Sequence, residues 1–172
     1  MQTISLGRSE LKSSRLVYGC MRITGDNSPE AREKGMKAIE AAIDCGYNHF
    51  DHADIYAGGG SESLFGEFLK ASPGLRKELI ITSKCGIRFA GQPEPGDPQR
   101  YDFSYQYIVD SVEGSLDRLG VDCLDVLLLH RPDYLFNAAE VATAPVSYTH
   151  LTLPTKCRKC CGGGGGGGGG GG

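Results

Sequence analysis

The chain has 172 residues, 18.3 kDa and a formal charge of −3, the length of one ordinary domain. Apolar residues at 40% and charged residues at 23% exclude a disordered or fibrous protein. Residues 1–145 carry 15 basic and 21 acidic side chains, a net −6 without a basic stripe, which argues against nucleic acid or a membrane surface as the main partner.

Residues 2–6 and 10–12 read as two short extended pieces around Gly7-Arg8-Ser9, a hairpin that would serve as a lid or plug. Residues 16–21 (Leu-Val-Tyr-Gly-Cys-Met) form an apolar run ending in a loop, the first core strand. Ser28-Pro29-Glu30 supplies an N-cap, a proline at the first helical position and an early acid, so a helix is expected from there to Gly46. Residues 48–53 (Asn-His-Phe-Asp-His-Ala) are the next strand, and after the glycine triplet 58–60 a second helical pattern runs from Ser61 to Lys70. The β-rich run 79–84 gives a third strand, followed by a long loop containing Gly86, Gly91, Pro93, Pro95, Gly96 and Pro98, of a length that tends to be functional. Ser104 opens a helix with apolar residues at Ile108, Val112, Leu116 and Leu119, closed by Gly120. Residues 125–130 (Asp-Val-Leu-Leu-Leu-His) read as a fourth strand, buried on both faces.

At residue 145 the character breaks. Residues 146–155 (Val-Ser-Tyr-Thr-His-Leu-Thr-Leu-Pro-Thr) match one reading frame of a transposase adapter used in short-read DNA sequencing, and 162–172 are eleven consecutive glycines. The body is therefore taken as one domain over 1–145, and 146–172 as a non-native tail arising from sequencing. Cys157, Cys160 and Cys161 have half of a zinc spacing but lack a second ligand pair, so no metal site is assigned. Cys20, Cys45, Cys85 and Cys123 stand singly among apolar neighbours, as reduced, buried thiols do. No membrane span and no signal-peptide core are visible, and the expected compartment is the cytoplasm.

Four β/α units with buried strands imply a parallel α/β sheet, either doubly wound or a (β/α)8 TIM barrel. Asp51, Lys84 and His130 each sit at the carboxyl end of a strand, where barrel enzymes gather functional groups from several strands, and this favours the barrel. Such a barrel takes about 250 residues, so the body is expected to be its N-terminal half. His49 and His52 flank Asp51, but strand alternation puts His52 on the opposite face, which excludes a shared metal. The triplet Gly58-Gly59-Gly60 lacks the Lys-Ser/Thr of a phosphate loop and reads as a turn. Asp54 and Arg131 are expected to form a solvated ion pair at the rim.

Four motifs in register carry a resemblance: Gly19-x-Met21-Arg22, Asp51-x-Ala53-x-x-Tyr56 with Ser61-Glu62, Thr82-Ser83-Lys84, and Ser115-Leu116-x-x-Leu119-Gly120-x-Asp122-x-x-Asp125-x-Leu127-x-x-His130-x-Pro132-Asp133. Together, over residues 1 to about 137, they resemble the aldo-keto reductase family. The resemblance implies an oxidoreductase that reduces an aldehyde or ketone with NADPH. It assigns Asp51, Tyr56, Lys84 and His130 to catalysis, and Gly19, Met21, Arg22 and Asp51 to cofactor binding. In that scheme Tyr56 donates a proton to the developing alkoxide. Lys84 supplies the cation that makes a phenol of ordinary pKa about 10 a usable acid, Asp51 holds the ammonium, and His130 orients the carbonyl. Much of the family's NADP grip comes from the second half of the barrel, so the chain as written is expected to be inactive. The alternative is a non-catalytic, nucleotide-binding regulatory subunit of the same fold. Oligomeric state and substrate identity are left open.

Overall fold

The computed structural model describes residues 1–131 and 133–151, with side chains as far as residue 144. The elements in chain order are β1 (Thr3–Ser5), β2 (Lys12–Ser14), β3 (Tyr18–Gly19), α1 (Pro29–Asp44), β4 (His49–Asp51), α2 (Gly60–Ala71), β5 (Ile80–Cys85), β6 (Ile87–Arg88), β7 (Arg100–Tyr101), α3 (Tyr105–Leu119), β8 (Val126–Leu129) and α4 (Ala138–Leu151). Two short 3₁₀ turns, Tyr56–Gly59 and Leu75–Glu78, precede α2 and β5 respectively.

The central sheet has the order β3-β4-β5-β8 and is parallel throughout, each strand reached from the last by a helical crossover. That is the expected succession of β/α units. α1 begins as its sequence dictates: the Ser28 hydroxyl accepts from Ala31 N–H at 3.2 Å, with Pro29 in the first turn where no amide donor is needed.

Alternation along β4 and β5 divides the sheet into two faces. Phe50 and Ile81 turn toward the helices and join Ile39, Leu64, Phe65, Leu69 and Leu119 in the main core. The rings of Phe50 and Phe65 meet with centroids 4.9 Å apart. A second cluster packs Cys85 with Phe103, Ile108, Val112, Leu116 and Ala144, joining α3, α4 and β5. On the other face His49, Asp51, Thr82 and Lys84 form two layers. The lower is closed by the β1–β2 hairpin, because His49 Nδ1 meets Ser13 Oγ at 2.8 Å and His49 Nε2 meets Thr82 Oγ1 at 2.7 Å. The hairpin is thus the plug expected from sequence.

Several expectations are corrected. The first core strand is only two residues long, and Leu16, Val17 and Met21 are exposed. β8 is half-buried rather than buried on both faces, with Leu128 43% exposed, because it is an edge of the sheet among the described residues. The long segment after β5 is no plain loop: β6 and β7 pair antiparallel within it, and Arg88 bridges Asp102. Of the cysteines, Cys20 and Cys85 are buried free thiols, but Cys45 is an exposed free thiol. α4 spans the point where the body was taken to end, residue 145. Residues 152–172, including Cys157, Cys160 and Cys161, lie outside the described residues. Within those described, no helix is long and apolar enough to cross a membrane.

Candidate active site

The carboxyl ends of β4, β5 and β8 bring Asp51, Tyr56, Lys84 and His130 together. Lys84, its side chain 13% exposed, places its ammonium 2.7 Å from Asp51 Oδ2, 2.8 Å from the carbonyl oxygen of His52 and 3.0 Å from Tyr56 Oη. An ammonium has three protons to donate, and here each has an acceptor. This is how a cation withdrawn from water is kept charged: hydration is replaced by a carboxylate and two oxygen dipoles.

Tyr56 is delivered by a tight turn tied to the end of β5. Asp54 N–H donates to the Lys84 carbonyl at 3.0 Å, and Tyr56 N–H returns to the Ala53 carbonyl at 3.1 Å. Ala57 then adopts φ 52° and ψ 37°, a left-handed conformation uncommon for a residue with a side chain, before Gly58 and Gly59 complete the turn. His130 directly follows β8 and is anchored by its N–H on the Cys85 carbonyl at 2.9 Å. Its ring stands edge-on to Tyr56, with centroids 5.8 Å apart and planes at 82°. Burial, then the Lys84 ammonium and Arg131, depress the His130 pKa below the ordinary imidazole value, so the ring is neutral at neutral pH. Its Nδ1 is buried without a hydrogen-bond partner among the described residues.

Gly19, Met21 and Arg22 lie at the neighbouring strand end. Gly19 pairs in register with Asp51, and the Cys20 N–H donates to the Asp51 carbonyl at 3.0 Å. Open space lies over Gly19, Met21 is 52% exposed and Arg22 is exposed. An open backbone, an exposed thioether and an exposed guanidinium leave this strand end accessible beside Asp51. The Asp51 carboxylate is already engaged by Lys84.

Two histidines beside Asp51 are held structurally, as expected. His49 bridges Ser13 and Thr82, while His52 is fully buried against Phe65, where burial pushes its pKa down to about 3. Among the described residues no group of His, Cys, Asp or Glu is arranged to hold a metal. Asp54 departs from the expected solvated pair with Arg131: its Oδ1 is buried and lacks a hydrogen-bond partner among the described residues.

Sequence reasoning did not find the layer beneath the site. Glu62 of α2 has a fully buried carboxylate that accepts from Ser83 Oγ at 2.5 Å and from Arg118 Nε at 2.8 Å. It ties the helix after the Tyr56 turn to the residue before Lys84. The signal was present, since Glu62 shares the apolar stripe of Phe65 and Leu69, and a charge there calls for a buried partner.

A parallel sheet wrapped by helices, with its polar cluster at the carboxyl ends of the strands, is the construction of a barrel enzyme site. The model of the Aldo/keto reductase family matches residues 15–148, and the chain belongs to that family. The 6-dehydroglucose reductase of Agrobacterium fabrum is 42% identical over 145 residues, an alignment covering 84% of this chain and 48% of that protein. A protein described as a probable voltage-gated potassium channel subunit beta from Oryza sativa subsp. japonica is 35% identical over 149 residues, covering 87% of this chain and 40% of that one. The structure of the aldo-keto reductase AKR11C1 from Bacillus halodurans, in its holo form, superimposes with a TM-score of 0.74 at 31% identity, covering 87% of this chain and 47% of that one. The chain thus spans about half the length of these relatives and folds as the N-terminal half of a (β/α)8 barrel.

Proposed function

We propose that this chain carries the proton-donating half of an NADPH-dependent reductase that converts an aldehyde or ketone to an alcohol in the cytoplasm. The observation that carries the reading is the Lys84 ammonium held between Asp51 and the Tyr56 hydroxyl. Reduced nicotinamide, when bound, supplies the hydride to the carbonyl carbon. The electron pair of the C=O π bond then becomes alkoxide charge on oxygen, and that charge takes the proton from Tyr56 Oη. The Lys84 ammonium, 3.0 Å away, stabilises the phenolate left behind, and Asp51 keeps the ammonium in place. His130, neutral and edge-on to Tyr56, has an N–H to offer the carbonyl oxygen and so fixes which face meets the hydride. Gly19, Met21 and Arg22 would hold the nicotinamide end.

The chain spans about half the length of these relatives, and the activity is proposed for the whole protein. The test is to re-read the gene across codons 142–155 with an independent sequencing chemistry, express the product, and follow nicotinamide oxidation with aldehydes and ketones. Turnover that Tyr56→Phe abolishes supports the reading; cofactor binding without turnover of any carbonyl replaces it with the regulatory subunit. That second reading is favoured by the similarity to the rice channel subunit and opposed by the four residues standing together.

A further inference from the structure

We propose that Glu62 is a positioning residue for the Lys84 ammonium, acting through Ser83, and that with Ser61 it makes the first turn of α2 the frame on which the site is aligned. As a statement about catalysis, the inference rests on Tyr56 being the proton donor.

Lys84 is the group most in need of such a frame. The ladder between β4 and β5 ends at the pair Asp51–Thr82, so Ser83 and Lys84 lie beyond regular pairing on that side. Their main chain is met there by the Asp54 N–H, which donates to the Lys84 carbonyl at 3.0 Å. Side chains alternate along the strand, so Lys84 points into the site while Ser83 points toward the helices. Ser83 is fully buried and gives its hydroxyl proton to Glu62 Oε1 at 2.5 Å. That bond fixes the peptide from which the lysine departs, at the point where the β4 ladder has stopped.

Ser61 acts from the same turn of α2. Its hydroxyl donates to the Cys20 carbonyl at 2.7 Å, and the Cys20 N–H donates in turn to the Asp51 carbonyl at 3.0 Å. Ser61 Oγ also meets His52 Nδ1 at 3.4 Å. His52 is fully buried, and its carbonyl oxygen accepts from the Lys84 ammonium at 2.8 Å. Two adjacent residues of α2 thus hold the ends of β3, β4 and β5. Lys84 is secured at its root through Ser83 and at its head through His52.

The frame itself is stiff. Glu62 Oε2 accepts from Arg118 Nε at 2.8 Å, and α2 lies so close to the end of α3 that a Cβ on Gly66 would sit 2.4 Å from the Arg118 carbonyl oxygen. A helix docked this tightly transmits a displacement rather than absorbing it. Loss of the Ser83–Glu62 bond therefore loosens Lys84 against Asp51 and Tyr56, which it meets at 2.7 and 3.0 Å.

The experiment compares Ser83→Ala, which cuts the link but leaves the Glu62–Arg118 pair, with Ser83→Thr, which keeps the hydroxyl, and with Leu69→Ala, which removes a buried α2 side chain outside the link. In the isotopically labelled full chain the Lys84 ammonium should give a resolved proton–nitrogen NMR signal, because its protons are bonded and shielded from water. Ser83→Ala should broaden that signal beyond detection, Ser83→Thr should restore it and Leu69→Ala should retain it. If the alanine variant does not fold, Ser83→Cys, of similar shape but a weaker donor, should show the same loss in lesser degree. In the whole protein, Ser83→Ala should lower kcat by about 10–10²-fold with KM for cofactor and carbonyl within about threefold of the parent, and Ser83→Thr should recover most of that loss. An ammonium signal absent from the parent, surviving Ser83→Ala or lost equally in Leu69→Ala overturns the proposal, as does a fall in kcat that Leu69→Ala shares. If Tyr56→Phe leaves turnover intact, the donor reading fails, while the ammonium signal still decides whether Glu62 positions Lys84.

Discussion

Deleting one half of the Glu62–Arg118 pair should cost far more than deleting both. The Glu62 side chain is fully buried and the Arg118 side chain 31% exposed, so the two ends differ in how well water can rescue them. Glu62→Leu leaves a guanidinium that is partly hydrated and a Ser83 hydroxyl without its acceptor, a loss of about 3 kcal/mol at the low end for a broken buried pair. Arg118→Met leaves a carboxylate with no access to water and, among the described residues, only Ser83 as donor, so the loss should reach about 4–5 kcal/mol. Replacing both, as Glu62→Leu with Arg118→Met, removes the stranded charges together and should fall within about 1–2 kcal/mol of the parent. The assay is urea unfolding followed by circular dichroism at neutral pH on the parent, both single variants and the double, closed as a thermodynamic cycle. A coupling of at least about 2 kcal/mol is expected. Single-variant losses that simply add would refute the reasoning, because they would mean that neither charge is desolvated enough to need the other.

Phe50→Ala, which removes a fully buried ring packed on both Tyr18 and Phe65, should destabilise the chain by about 3–5 kcal/mol in the same assay. Gly86→Ala should be among the most damaging small substitutions, since Gly86 has φ +116° and a Cβ there would lie 1.9 Å from Phe103 Cε1; loss of soluble expression or a drop above about 2 kcal/mol is the readout. In the whole protein Tyr56→Phe should lower kcat by about 10²–10⁴ with cofactor affinity unchanged, measured by nicotinamide oxidation and fluorescence titration. Asp54 has its folded pKa raised from 3.8 to about 6, so the folded state holds its proton more tightly than the unfolded chain. Stability should therefore fall as pH rises between those two values and level off above, and Asp54→Asn should remove that slope, gaining about 1–2 kcal/mol over the parent at pH 8 once partial exposure is allowed for.

Local chemistry explains which features were legible in the sequence. Ser28-Pro29-Glu30 marks the start of α1 because cap, proline and acid act within one turn, and the runs around Phe50 and Ile81 mark strands because their neighbours alternate or are wholly apolar. Asp51, Lys84 and His130 stood out because each breaks an apolar run at its end. Pairings between distant segments were not legible. β6 and β7 are two residues each and have no periodicity to read, and the Glu62–Arg118 contact joins positions 56 residues apart that only the packing of α2 on α3 brings together. The burial of β8 was misjudged for a related reason: apolar composition records what a strand can be covered by, whereas its exposure depends on which neighbours stand beside it.

The hydrogen-bonded chain from Ser13 through His49 to Thr82 divides the labour of the sheet's polar face. It makes the amino end a foundation whose loss would be felt in folding, and leaves the carboxyl end free to vary in chemistry without undermining it. Anyone redesigning this scaffold for a new reaction can therefore rewrite the turns after β3, β4 and β8 while treating the hairpin and its histidine as a fixed footing, and can diagnose a failed design by asking which end was disturbed.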